Sequence, residues 1–177
     1  MLKNYKSASV SLKRQRGANR KSTFVVQLIN MKKVFFTCTL LMIAGFAFSQ
    51  KNFNLDNGVA IKGYDPVAYF AQNKSVKGDK QFSVVDNGVT YYFSSANNKE
   101  EFKKNPAKYA PQYGGWCAYA MGKDGTKVEV DPGTFKIING KLFLFYNQFF
   151  NNTLKSWNKD EENLHRSADA NWQKLNH

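Results

Sequence analysis

Short apolar segments on either side of two Asn-Gly pairs predict two β-hairpins in this chain. In each, two short strand-like segments flank an Asn-Gly pair, Asn87-Gly88 between residues 82–86 and 89–93, and Asn139-Gly140 between residues 135–138 and 142–146. Both central residues of a type I′ turn need a positive φ, which Asn-Gly tolerates well. The pattern therefore predicts a hairpin around each pair.

Helical signals surround these hairpins, and a short apolar strand is predicted at residues 59–61. Asp65-Pro66 is typical of an N-cap followed by the first helical position, so a short helix is predicted through Phe70. Ser94 or Ser95 can cap the next helix, which Asn105-Pro106 breaks and restarts towards Tyr109.

The C-terminal part is predicted to be helical over residues 148–157 and 160–175. Leu164, Ala168, Trp172 and Leu175 recur at spacings typical of one face of an amphipathic helix. Two hairpins packed with several helices predict a small single domain of the α+β class.

Residues 31–49 have the pattern of a secretory signal peptide. Lys32 and Lys33 precede an apolar run over residues 34–48, and Ala47 and Ser49 are the small residues expected before a cleavage site at Gln50. The run is too short for an ordinary membrane span. We therefore expect the working protein to be residues 50–177, in an extracytoplasmic location, either periplasmic or secreted.

Two alternatives concern this N-terminal part. The apolar run can instead remain as an uncleaved anchor, and only then is a membrane a predicted partner. Residues 1–30 are basic and Ser-rich, which favours an over-long gene start with Met31 as the initiator, while a genuine basic extension is the other interpretation.

Charge excludes one class of partner once the leader is set aside. The full chain carries a net charge of +13, but nine of its 26 Lys and Arg residues and none of its 13 Asp and Glu residues precede Gln50. The remainder has 17 basic and 13 acidic residues, a net charge of +4. The basic residues are mostly lysines interleaved with acids, so no nucleic-acid partner is predicted.

Cysteine is scarce in the predicted mature protein. Cys38 lies in the signal segment, which leaves Cys117 alone and makes an intramolecular disulfide impossible there. Gly114-Gly115 just before Trp116 and Cys117 predict an unusual backbone that brings Tyr113, Trp116 and Cys117 together. A thiolate is a soft metal ligand and a redox nucleophile, whereas many free cysteines are simply buried.

Motifs of common enzyme classes are missing from the chain. We find no phosphate-binding glycine loop, no Cys-x-x-Cys, no His-Glu-x-x-His and no Gly-x-Ser-x-Gly. His165 and His177 are the two histidines, and His165 in a predicted helix is more typical of a surface or packing residue. No catalytic residue is predicted.

Several segments together resemble the exported branch of the YHS-domain family. They are residues 63–70 (GYDPVAYF), Tyr91-Tyr-Phe-Ser-Ser95, Phe102 with Asn105-Pro-Ala-Lys-Tyr109, residues 111–120, Asp131-Pro132 and residues 139–142, within roughly residues 59–175. The resemblance implies a small α+β domain related to treble-clef-like metal-binding modules. It also implies heavy-metal binding, with copper favoured.

Shorter members of this family, thought to bind metals through thiols, carry cysteines directly after the Tyr-x-Phe strand. The equivalent stretch here, residues 94–98, is Ser-Ser-Ala-Asn-Asn, so that cysteine cluster is missing. The candidate metal or redox residues are therefore Cys117, Met121 as a second soft donor, and His165. The residues expected to shape the site are Tyr64, Asp65, Tyr113, Gly114, Gly115, Trp116 and Asp131.

Three functions remain open from the sequence. The first is an exported binding protein that holds copper, another soft metal ion or a small ligand near Cys117. The second is a redox protein that depends on the Cys117 thiol, and the third is an interaction domain whose cysteine is purely structural. Asp65 and Asp131 also have the simpler interpretations of a helix cap and a turn residue.

Overall fold

A computed structural model describes residues 52–176, which belong to one compact unit. The predicted basic extension (residues 1–30) and signal peptide (31–49) lie outside the described residues. Within the described range, no helix has both the length and the apolar character needed to cross a bilayer.

Four strands form the first sheet: β1 (Leu55–Asp56), β2 (Val59–Ala60), β3 (Asp79–Asp86) and β4 (Val89–Phe93). Their order in the sheet is β1-β2-β4-β3. The first predicted hairpin is confirmed, with Asp86 opposite Val89. The strand predicted at 59–61 ends at Ala60, because Ile61 and Lys62 have positive φ and begin a 3-10 turn at Ile61–Gly63.

A second sheet consists of β5 (Asp131–Ile138) and β6 (Lys141–Phe145), which pair around Asn139-Gly140 as predicted. A small third sheet, β7 (Asn147–Gln148) with β8 (Asn151–Asn152), follows directly. It occupies the start of the helix predicted at 148–157, so that part of the prediction is wrong.

Within residues 52–176, six α-helices connect and cover the sheets. They are α1 (Pro66–Gln72), α2 (Ala96–Lys104), α3 (Pro106–Tyr109), α4 (Ala118–Asp124), α5 (Thr153–Trp157) and α6 (Glu161–Leu175). The predicted caps are confirmed at Asp65 and Ser95, whose side chains accept backbone N–H groups from the first turn of their helices. The predicted break at Asn105-Pro106 is also confirmed, and there the Asn105 side chain accepts from the Lys108 N–H. A 3-10 turn at Gln112–Gly115 precedes α4.

Strand β6 lies between two hydrophobic cores. Leu142 and Leu144 belong to one core, whereas Phe143 and Phe145 belong to the other. Because side chains alternate between the two faces of a strand, β6 is buried on both faces after Lys141. The strand therefore joins the part of the domain built on the first sheet to the part built on α4, α5 and α6.

The buried face of α6 agrees with most of its predicted pattern. Ala168 is fully buried, and Leu164 and Trp172 pack against the second core. Leu175 is 39% exposed, so the last position of the predicted face is not buried. Helix α4 approaches α6 closely because Gly122 has no side chain, and a Cβ there would collide with the Leu164 backbone.

Four two-residue hairpin loops have positive φ at both central positions. Three of them are Asn-Gly, at residues 57–58, 87–88 and 139–140. The fourth is Phe149-Phe150 between β7 and β8, with φ of 50° and 63°. A left-handed conformation is costly for a bulky side chain, so this loop is strained where the other three are not.

We expect the double substitution Phe149→Asn with Phe150→Gly to raise the free energy of unfolding by roughly 1–2 kcal/mol, because it replaces two strained residues with the pair that suits the turn. Urea unfolding followed by circular dichroism measures the change. The reverse exchange, Asn139→Phe with Gly140→Phe, is the matched control and should lower stability. Equal stability of both variants and wild type would contradict the strain argument.

Candidate functional site

Cys117 lies at the N-terminus of α4 with its side chain completely buried. Its Sγ accepts a hydrogen bond from the Tyr146 backbone N–H at 3.3 Å and lies 3.4 Å from Thr153 Oγ1. The Thr153 hydroxyl donates to the Tyr146 carbonyl oxygen at 2.9 Å, so its own oxygen is left to accept the thiol proton. The thiol is thus held in a closed hydrogen-bonded arrangement.

Met121 and His165, the other candidate ligands, have different surroundings. Met121 is fully buried in the second core, whereas Cys117 belongs to the first. The His165 ring packs edge-on against Phe143 with 5.0 Å between ring centroids, and its Nε2 lies 3.8 Å from Asp169 Oδ2. The structure therefore assigns the three candidates separate packing roles.

A heavy metal does not fit this donor set. Within residues 52–176, no group of three or more His, Cys, Asp and Glu side chains is placed to hold a metal ion. A closed zinc site needs four ligands, and soft ions such as Cu(I) prefer thiolates and thioethers. The one thiol in this range is already engaged by Tyr146 and Thr153.

The glycine segment before Cys117 has the unusual backbone that the sequence predicts. Tyr113, Gly114 and Gly115 have φ of 53°, 61° and 87°. A Cβ on Gly114 would lie 2.5 Å from the Asn52 carbonyl oxygen, so only glycine fits there. The Asn54 N–H donates to the Gly114 carbonyl at 2.8 Å. The segment thus anchors the first described residues of the chain.

The polar groups of Tyr113, Trp116 and Cys117 form hydrogen bonds with different partners. The Tyr113 hydroxyl donates to Asp169 Oδ1 at 2.9 Å, and the Trp116 indole N–H donates to the Asn52 carbonyl at 2.9 Å. Burial, followed by the neighbouring Asp169 carboxylate, raises the pKa of Tyr113 well above its usual value. The expected convergence of the three side chains on one site is not seen.

Asp65 is fully buried and is the most extensively hydrogen-bonded carboxylate in the described range. Its Oδ1 accepts from the Val67 and Ala68 backbone N–H groups at 2.8 and 3.3 Å. Its Oδ2 accepts from the Ser94 N–H at 2.8 Å, the Ser94 hydroxyl at 2.6 Å and Asn98 Nδ2 at 2.7 Å. The predicted cap therefore also binds the end of β4 and the start of α2.

Asp131 and Tyr64 complete the set of expected site residues. Asp131 accepts from the Gly133 N–H at 2.9 Å and the Thr134 hydroxyl at 2.8 Å, which agrees with its interpretation as a turn residue. Tyr64 lies beneath Lys77, whose Nζ is 4.7 Å from the ring centroid. Tyr64 packs against the first core, and Lys77 above it lines a cleft on the surface.

This cleft has a volume of about 430 Å³ and lies beside the β1–β2 turn, and we call it the lysine cleft. Its lining includes Lys62, Lys77, Lys80 and Tyr92, with Asp56 as its one acidic residue. Sequence reasoning missed it because the lysines are scattered along the chain and form no motif. The β2–β4 pairing and the close approach of Gly78 to Tyr92 bring them together.

Comparison with known proteins gives one family. The family model of the YHS domain matches residues 67–113. This chain contains a YHS domain. No curated protein and no solved structure matches the chain.

The YHS match begins in α1 and ends in the glycine segment, which is shorter than the resemblance over residues 59–175 suggested. YHS domains are generally associated with metal binding. In this one, the positions after the Tyr-x-Phe strand are Ser94 to Asn98, and Ser94 and Asn98 donate to Asp65. Asp65 and Cys117 lie just outside the two ends of the match.

We expect Asp65→Asn to lower the free energy of unfolding by roughly 2–4 kcal/mol, because it places an amide NH₂ against donors that now face a buried carboxylate. Chemical denaturation measures the loss. Asp79→Asn is the matched control, because Asp79 is exposed and accepts a hydrogen bond from the Gln81 N–H within its own strand. If both variants lose equal stability, the network is not the cause.

We expect Cys117 in the chain of residues 50–177 to react with iodoacetamide at least about a hundredfold more slowly under native conditions than in urea, because reaction requires opening of the core. Mass spectrometry over time gives the rate. Cys117→Ser combined with Lys159→Cys supplies an exposed thiol for comparison. Native alkylation of Cys117 as fast as that of this exposed thiol would contradict the structural role.

Proposed function

We propose that this YHS domain is a non-catalytic binding protein that holds a small anionic ligand in the lysine cleft. The observation that carries the proposal is the presence of three lysines around one cavity. A volume of about 430 Å³ is within the usual range for small-molecule sites. Lys62 is paired with Glu129, so Lys77 and Lys80, opposed by Asp56 alone in the lining, are the charges that favour a negatively charged ligand.

Two of these lysines are held in place by the fold. Lys62 Nζ donates to the Val130 carbonyl at 2.9 Å and lies 3.3 Å from Glu129 Oε2. Lys77 Nζ donates to the Lys62 carbonyl at 2.5 Å and lies over the Tyr64 ring. A positioned ammonium loses less conformational entropy on binding than a free one, which supports recognition of a carboxylate or phosphate group.

Two glycines in the lining of the cleft also support the binding of a small ligand. Gly63, with φ of 79°, and Gly78 line it, and a Cβ on Gly78 would lie 2.5 Å from the Tyr92 carbonyl carbon. The absence of a side chain on Gly78 therefore lets the segment that carries Lys77 and Lys80 pack directly against Tyr92. This packing places both lysines at the cleft.

Copper or another soft metal ion at Cys117 is the second candidate function, and the YHS match favours it. Such binding requires that the thiol leave Tyr146 and Thr153 and that donors outside the described residues or on another chain complete the site. Thiol-dependent redox chemistry needs an accessible thiolate. The complete burial of Cys117 argues against both and supports a structural cysteine.

We also propose that the protein acts outside the cytoplasm, after cleavage before Gln50. The support is the pattern of residues 31–49, with two lysines, an apolar run and small residues before the cleavage point. An extracytoplasmic binding role is compatible with a chain that has a single cysteine after this point.

We expect inorganic phosphate and succinate, titrated separately into residues 50–177, to shift the amide NMR signals of Gly63 and Gly78. Lys77→Gln with Lys80→Gln should weaken binding about tenfold, because charge-assisted contacts are lost. Lys123→Gln, on α4 outside the cleft, is the matched control and should leave the affinity unchanged. Absence of shifts in the cleft with both anions would overturn the proposal.

Metal binding is tested on the same protein by competition of Cu(I) and Zn(II) against chelators. We expect no competition from wild type or from Cys117→Ser. Tight Cu(I) binding by wild type that Cys117→Ser abolishes would instead establish the second candidate function.

A further inference from the structure

The hairpin loop between β7 and β8 exposes two adjacent phenylalanines, which we call the aromatic tip. Phe149 is 86% exposed and Phe150 is 110% exposed. The next most exposed large apolar residues in the described range are Val85 at 68% and Leu175 at 39%. The tip is therefore the most prominent apolar feature of the described surface.

The backbone of the tip is strained, because a positive φ is costly for a bulky side chain. The other three two-residue loops with paired positive φ use Asn-Gly, whereas the aromatic tip holds two bulky residues in that conformation. Exposed apolar surface and backbone strain both oppose stability, and neither contributes to the core. Features of this kind cluster at functional sites, which makes the tip a candidate contact surface.

Charge around the tip is of one sign along the chain. Between Pro132 and Lys159 there are four lysines, at positions 136, 141, 155 and 159, and no acidic residue, while three acidic residues follow at 160–162 and Glu161 pairs with Lys136. The residues next to the tip, at 147–148 and 151–152, are uncharged amides. Lys155 is exposed on the helix that follows the hairpin. The tip is thus suited to an apolar environment bordered by negative charge.

The size of the tip favours a lipid surface over a protein partner. Two phenylalanines bury at most about 500 Å² together, whereas a stable protein interface buries about 800 Å² on each partner. A bilayer, in contrast, accommodates a small projecting apolar group, and anionic headgroups attract nearby lysines. We propose that the aromatic tip inserts into the interface of an anionic lipid membrane, with Lys155 contacting the headgroups.

The test is flotation of residues 50–177 with vesicles of phosphatidylcholine alone or with about 30% phosphatidylglycerol. This segment contains every element described above and both hydrophobic cores. It also lacks the apolar run of residues 34–48, which would bind lipid by itself. We expect wild type to float with the anionic vesicles and much less with phosphatidylcholine.

The double substitution Phe149→Asn with Phe150→Gly should weaken vesicle binding about tenfold or more. Lys155→Gln should weaken binding about fivefold, and only to the anionic vesicles. Val85→Asn, which removes an exposed apolar residue elsewhere, is the matched control and should bind as wild type. We expect the Phe149→Asn with Phe150→Gly variant to keep or raise the thermal midpoint of wild type. A loss of vesicle binding by this variant would then not come from unfolding.

Three results would overturn the proposal. One is failure of wild type to bind either vesicle, and another is equal binding by wild type and the tip variant. The third is a dimer of wild type in sedimentation that the tip variant dissociates, without binding of either to vesicles, because the tip would then contact a second copy of the chain.

Discussion

The buried carboxylate of Asp65 is the constraint on which the first half of the domain depends. One of its oxygens accepts from the start of α1 and the other accepts from Ser94 and Asn98, at the end of β4 and in α2. A buried charge is tolerated only when it is paired or fully hydrogen-bonded. The start of α1 and the junction of β4 with α2, 29 residues further along the chain, must therefore meet at this one side chain. The position of α2 places Phe102 against Tyr91 and Phe93 in the first core.

Strand β6 plays the corresponding part for the rest of the domain. It contributes Leu142 and Leu144 to one core and Phe143 and Phe145 to the other, so neither core is complete without it. Cys117 lies beside the point where β6 ends, and its thiol accepts from the Tyr146 N–H at that end. The same thiol contacts Thr153, the first residue of α5. Its position thus connects α4, β6 and α5, and these contacts account for the burial of the side chain.

Local signals predicted much of this fold. The Asn-Gly hairpins, the caps at Asp65 and Ser95 and the helix break at Asn105-Pro106 depend on a few adjacent residues, and all are confirmed. The β7–β8 hairpin was missed because Phe149-Phe150 carries no turn signal. The hydrogen bonds to the second oxygen of Asp65 were not predicted, and neither was the lysine cleft. Both depend on contacts between segments that are distant in sequence. The unusual backbone at Gly114 was predicted, but the directions of Tyr113 and Trp116 were not, because their partners Asp169 and Asn52 lie at the two ends of the domain.

The Asp65 network also occupies the positions at which the family resemblance implies a metal site. Ser94 and Asn98 lie just after the Tyr-x-Phe strand, where the resemblance implies thiols in shorter family members, and here both side chains donate to a carboxylate. A thiol at either position would be a poorer donor to Asp65, and a metal bound there would compete for the same oxygen. These positions would therefore serve either a metal or a buried carboxylate network, but not both. In this chain they form the carboxylate network, and the anion site that we propose lies elsewhere, where Lys77 lies over Tyr64.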